Sequence, residues 1–188
     1  MLVTEDDIFL FNEGSHFHLA DRLGAHLTTR DGAKGCSFSV WAPNAQYVSV
    51  IGDFNGWNRE SHPMTPQKSS GIWSGFVPGA PKGSCYKYFI RSHHNGYEVE
   101  KADPVGIRTE EPPRTGSVIW DLDYQWKDAD WMSTRKDKHR LDSPVSIYEV
   151  HLGSWMRDPG EGNRSFTYRE IAPRLAEHCG NLGYTHVE

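Results

Sequence analysis

Between residues 24 and 120 the sequence breaks into short alternating segments, and this rhythm limits the fold more than any other feature. Each segment is four to eight residues of apolar-polar alternation bounded by glycine, proline or asparagine, the pattern of a half-buried strand entering a turn. Gly24-Ala25-His26-Leu27 reads as a first edge strand. Cys36 to Trp41 puts Cys36, Phe38 and Val40 on one face and stops at Ala42-Pro43-Asn44. Tyr47 to Ile51, Gly71 to Pro78, Tyr86 to Ile90 and Gly116 to Trp120 repeat the pattern, and His94-Asn95-Gly96-Tyr97 supplies an Asn-Gly hairpin turn. About six such strands predict a β-sandwich of immunoglobulin size. The Cys-Trp-Cys spacing of antibody domains is missing. Trp41, just before Pro43, is expected in the core.

Two flanking regions differ. Residues 1–34 form a lead-in, helical or irregular before its edge strand, with weak alternation over Asp6 to Leu10 and a His16-Phe17-His18 pair read as surface or packing histidines. Residues 123–143 are polar and charged, a linker that Trp126 and Trp131 pin to a surface. From Pro144 the pattern changes again. Val145 to Leu152 is apolar on both faces, as buried parallel strands are. Thr167-Tyr168-Arg169-Glu170 fits a capping box. Pro173 would cost ~3 kcal/mol inside a helix, so the main helix is expected to begin there, after a short turn. Gly183 sits at a helix stop, and Tyr184 to Glu188 opens a second strand, giving one β-α-β unit. One crossover leaves strand edges and faces uncovered, so the chain reads as a fragment against the ~250 residues of a complete (β/α)8 barrel. The predicted domains are the lead-in 1–34, the sandwich 35–122, the linker 123–143, and the barrel start 144–188.

Composition narrows the partners. The formal charge is −5 with both signs interspersed, which lacks the concentrated basic face a nucleic acid needs. No apolar run approaches the ~18 residues of a membrane span, and the first residues do not form a secretory signal. Three widely spaced cysteines, Cys36, Cys85 and Cys179, argue against a disulfide framework and against a zinc site, and fit a reducing cytoplasm. No metal or other cofactor is expected.

Within the strands, Val48 to Asn58 runs into Gly52-Asp53-Phe54-Asn55-Gly56-Trp57, a turn that delivers one indole with an asparagine beside it. Such a ring either plugs the end of a sandwich or stacks on a flat ligand such as a sugar ring.

Four stretches carry a family resemblance: Phe38 to Ala45, Gly52 to Trp57, Lys101-Ala102-Asp103-Pro104, and Ser146 to Trp155. In this order they resemble the glycogen (1,4-α-glucan) branching enzymes, and the likeness runs from about Leu10 to Glu188. The resemblance implies an immunoglobulin-like glycogen-binding module joined to an α-amylase-type barrel. It implies an enzyme that cleaves α-1,4 glucan and transfers the chain to a 6-hydroxyl, forming α-1,6 branches. It also points to α-glucan as partner, to Trp57 and Tyr97 as stacking rings, and to Lys87 and Asn55 as donors to sugar hydroxyls. The family's catalytic carboxylates lie on later barrel strands, so no catalytic residue is assigned here and this chain alone is expected to be inactive. Glu149 and Glu188 do not organise the carboxylate pair, ~5–5.5 Å apart, that retaining glycoside chemistry requires. Two other readings are a non-catalytic α-glucan-binding protein, and a fragment of a related debranching or trehalose-releasing hydrolase.

Overall fold

A computed structural model describes residues 3–188, which divide into two compact units, one ending at Tyr124 and one beginning at Gln125. The first unit is a β-sandwich. One sheet has the order β1-β2-β5-β4, from β1 (Gly24–Arg30), β2 (Ala33–Trp41), β4 (Thr65–Pro66) and β5 (Ile72–Pro78). The other runs β3-β6-β9-β8, from β3 (Ala45–Gly52), β6 (Cys85–Ser92), β8 (Arg108–Thr109) and β9 (Ser117–Val118), with β7 (Glu98–Lys101) also paired to β6. All pairings within these sheets are antiparallel.

The alternation in the sequence places the core. Cys36, Phe38 and Val40 of β2 face Val48 and Val50 of β3, Trp73 and Val77 of β5, and Tyr86 and Tyr88 of β6 in one buried cluster. The Phe38 ring meets Tyr86 edge-on at 5.1 Å, and Tyr86 meets Tyr88 at 5.9 Å. Fully burying one such ring is worth about 2–3 kcal/mol. A polar group sits inside this apolar layer. Asp103 is buried, and its carboxylate accepts from Tyr86 Oη at 2.6 Å, Tyr88 Oη at 3.0 Å and the Val105 amide at 3.0 Å. The Asp103 amide donates to Ser117 Oγ at 2.8 Å, so this one residue joins β6, β9 and the segment after β7.

One expectation for this unit is sharpened and one is corrected. The lead-in, expected to be helical or irregular, carries helix α1 (Glu5–Glu13) over the weak alternation of Asp6 to Leu10. The helix is set by local capping: Thr4 and Asp7 form a reciprocal capping box, and Gly14 closes the end with φ +81°. Asp7 is also gripped by His16 Nε2 and Arg22 Nε, each at 2.9 Å, which accounts for one of the lead-in histidines. Trp41 is not core. Cys36, Phe38 and Val40 point inward, so residue 41 must point outward; it is 54% exposed, with its ring edge against Phe11 at 6.2 Å.

The second unit contains α2 (Ala129–Lys138), within the stretch read as a linker, and then β10 (Ile147–Tyr148), α3 (Leu152–Trp155), the hairpin β11 (Arg157–Asp158) and β12 (Arg164–Ser165), α4 (Tyr168–Leu182) and β13 (His186–Val187). β10 and β13 pair in parallel, with α4 in the crossover, as a β-α-β unit requires. Of the expected strand over Val145 to Leu152, Ile147 and Tyr148 pair in register with His186 and Val187, and backbone hydrogen bonds run from the Ser146 carbonyl, which accepts from His186, to the Val150 amide, which donates to Glu188.

The start of α4 also differs from expectation. The helix begins at Tyr168 and carries Pro173 inside it. The capping box is the physical reason: Thr167 donates its amide to Glu170 Oε2 at 2.7 Å, and the Arg164 guanidinium forks onto the same carboxylate at 2.9 and 3.0 Å. That anchored first turn offsets the hydrogen bond that proline cannot make. Arg164 also reaches Glu161 at 2.5 Å and Asp158 at 3.9 Å, so one cation gathers three carboxylates. Trp155 donates Nε1–H to Tyr148 Oη at 2.8 Å and packs its ring on His178.

Candidate functional site

Position 52, the last of strand β3, is glycine for a steric reason. A Cβ there would stand 2.4 Å from the Cys85 carbonyl oxygen and 2.9 Å from the Phe54 ring. The chain then makes a single 3-10 turn over Asp53–Asn55, and Gly56 and Trp57 follow with φ of +61° and +62°. Glycine adopts that conformation freely, whereas a bulky residue does so rarely.

Asn55 builds this turn with its side chain. Its Oδ1 accepts from the Gly52 amide at 2.9 Å, and its Nδ2 lies 3.0 Å from the Val50 carbonyl and 2.9 Å from His62 Nδ1. Burial holds the His62 pKa below its ordinary value, which keeps that ring neutral and able to accept the amide proton. The amide expected to meet a sugar hydroxyl is therefore committed inward.

Trp57 is 37% exposed. Its Nε1–H donates to Asp53 Oδ1 at 3.2 Å, while Asp53 Oδ2 accepts from the Cys85 amide at 2.8 Å. Lys87 lies on the outward face of β6, opposite Ile51 of β3, at the same end of the sheet as this turn. Its Nζ donates to Thr115 Oγ1 at 2.9 Å. The structure thus brings Trp57 and Lys87 to one end of the sheet.

Tyr97 is elsewhere. It follows Asn95 and Gly96, both at positive φ, in the hairpin joining β6 to β7, and it is 64% exposed. Its carbonyl accepts from the Ser92 amide at 2.8 Å. Ser92 lies five residues beyond Lys87 along β6, about 17 Å at a rise of ~3.3 Å per residue. Tyr97 and Trp57 cannot hold one glucose unit between them.

The sequence reasoning missed a groove beside the turn. It has a volume of about 530 Å³ and is lined by Cys85, Val118, Trp120 and the stretch 108–114. The Trp120 ring carries Lys82 Nζ at 4.5 Å and Arg108 Cζ at 4.2 Å. Burial and the nearby Glu110 and Asp53 carboxylates raise the pKa of the Cys85 thiol at the groove's edge. The only sequence signal for this groove was the tryptophan ending the last strand.

Comparison with known proteins fits this architecture. Residues 22–106 match the family carbohydrate-binding module 48 (isoamylase N-terminal domain). Over 188 residues, all of this chain and 30% of the relative, the sequence is 48% identical to the 1,4-alpha-glucan branching enzyme GlgB of Aquifex aeolicus. It is 50% identical to that of Myxococcus xanthus over 98% of this chain and 25% of the relative. The chain matches the N-terminal part of branching enzymes. It spans about a third or less of the length of these GlgB relatives. Among solved structures, the GBS pullulanase SAP in complex with maltotetraose aligns over 88% of this chain and 23% of its own, at 21% identity and a TM-score of 0.59, a likeness of fold. The Trp57 turn and strands β1 to β7 fall inside the carbohydrate-binding module match, β8 and β9 lie just beyond it, and the β-α-β unit follows in sequence.

Proposed function

We propose that this chain is the N-terminal, glucan-holding part of a cytoplasmic 1,4-α-glucan branching enzyme, in which the exchange of an α-1,4 for an α-1,6 bond is carried out by barrel residues outside these 188. The observation that carries the reading is an indole held half-exposed at the rim of a sandwich of the carbohydrate-binding type, with an ammonium group at the same end of the sheet. The apolar face of a glucose unit stacks on Trp57, and Lys87 donates to its hydroxyls. Asn55 serves by holding the turn, and Tyr97 touches only a chain long enough to run along β6.

The organisation proposed is a lead-in, a sandwich, a connecting segment and the first β-α-β unit of an α-amylase-type barrel. Glu149 and Glu188 are both exposed. The identity to branching enzymes over the whole chain favours this reading over a debranching hydrolase, for which the solved-structure likeness supports the fold alone.

Affinity electrophoresis in gels containing glycogen tests the reading. The parent chain is expected to be retarded, and Trp57→Ala to migrate close to its rate in glycogen-free gel. Equal retardation of both removes Trp57 from the site. No retardation of the parent overturns glucan holding by this chain.

A further inference from the structure

We infer that Asp53 is the positioning residue of the Trp57 platform: its carboxylate fixes the plane of the indole relative to the sheet before any glucan arrives. This rests on the reading that Trp57 stacks on glucan.

An exposed tryptophan on a turn is free to rotate about two side-chain bonds, and each rotation moves the face a sugar would use. Here the ring is tied by its one polar atom. Nε1–H donates to Asp53 Oδ1 at 3.2 Å, and the other oxygen of the same carboxylate accepts from the Cys85 amide, the first residue of β6, at 2.8 Å. The carboxylate therefore bridges the ring to a strand. The backbone adds a second tie: the Trp57 amide donates to the Gly52 carbonyl at 3.0 Å, and Trp57 itself is held at φ +62°. A bulky residue is strained at positive φ, and such strain persists where the surroundings over-determine it. Asn55, the other polar side chain of the turn, spends its amide on Gly52, Val50 and His62 and leaves the ring to Asp53.

Freezing the ring beforehand removes a rotational cost that binding would otherwise pay. The expected effect of losing the tie is the cost of immobilising one side chain on binding, roughly three- to tenfold in affinity. Asp53 holds the indole by its polar edge and needs no contact with the sugar.

The test is a double-mutant cycle on the full 188-residue chain, using Asp53→Ala, Trp57→Phe and their combination. Trp57→Phe keeps a stacking ring but removes the donor that Asp53 holds. Glycogen affinity electrophoresis gives the affinity, and the indole N–H resonance of Trp57, assigned by its loss in Trp57→Phe, reports the tie directly. Asp53→Ala is expected to shift that resonance and to weaken binding roughly three- to tenfold in the parent, and to change nothing further in the Trp57→Phe background. Equal loss in both backgrounds assigns Asp53 a merely structural role and overturns the inference. So does an unmoved indole resonance or unchanged affinity in Asp53→Ala while Trp57→Ala abolishes retardation; that outcome leaves the glucan reading standing. Should Trp57→Ala bind as the parent does, the glucan reading fails at this ring, and the inference fails with it.

Discussion

Replacing Asp103 by alanine removes the carboxylate that accepts from both Tyr86 and Tyr88 inside the sandwich. Both rings are fully buried, so neither hydroxyl can turn to water. A buried polar group left without its partner costs about 1–3 kcal/mol, which sums to ~2–6 kcal/mol for the two hydroxyls. Part of this is offset, because the parent already bears the cost of a buried carboxylate: burial raises the Asp103 pKa against the lowering effect of its donors. A net loss of ~3 kcal/mol is expected. In urea unfolding followed by tryptophan fluorescence, with a slope near ~2 kcal/mol per M, the midpoint falls by ~1.5 M at unchanged slope. The same change in a Tyr86→Phe, Tyr88→Phe background costs much less, because no hydroxyl is left to strand. A fall of under ~0.5 M in the parent, or an equal fall in both backgrounds, refutes the account. The sign of the pH effect is a separate check. A carboxylate whose folded pKa is raised contributes stability fully below its unfolded value, and that contribution is lost as pH rises through the folded value. Asp103→Asn lacks this decline.

Glu170 titrates in the opposite sense. The Arg164 fork and the Thr167 capping bonds hold its pKa at about 2, against an ordinary 4.5, so its contribution is full above the ordinary value and fades as the pH falls toward 2. Helical ellipticity that falls over this acid window in the parent and stays flat in Glu170→Gln is the expected result. The three thiols separate by reactivity. Cys85, half-exposed, is labelled first by a maleimide, while Cys36, fully buried with its pKa pushed up to about 12, and buried Cys179 stay protected until denaturant is added; mass spectrometry of labelled peptides reads the order. Gly52→Ala drives a methyl group against the Cys85 carbonyl, and overpacking of this kind costs about 1–3 kcal/mol in thermal or urea unfolding.

What was legible in the sequence followed from periodicity and turn chemistry. Strands β2, β3, β5 and β6 and the Asn95-Gly96 hairpin stand where alternation and glycine put them, because both signals act within a few residues. The capping box at Thr167 and the stop at Gly183 were legible for the same reason. Helix α1 was legible only as a helical or irregular lead, since four apolar residues in nine mask its period, and its cap uses aspartate where the motif has glutamate or glutamine. Pro173 misled because a single-residue rule was weighed without the Arg164 fork, a contact made six residues away from Glu170. The site was half legible. Trp57 could be named as a ring on a turn, but the inward commitment of Asn55, the tie from Asp53 and the distance of Tyr97 along β6 are matters of geometry. Trp41 shows a smaller failure: its place just before Pro43 says less than the strand's own parity, which turns it outward.

The Arg164 cluster has a consequence for how the second unit comes apart. Three carboxylates, Asp158, Glu161 and Glu170, surround a single guanidinium. Remove any one acid and the attraction to the cation is shared among fewer; remove the cation and three like charges are left facing one another. The hairpin and the first turn of α4 are thus held by an arrangement that fails asymmetrically, tolerant of losing a spoke and intolerant of losing the hub. Opening of the hairpin and fraying of the helix start should accordingly occur together, as one cooperative event with a common protection against amide exchange, rather than as two separate ones.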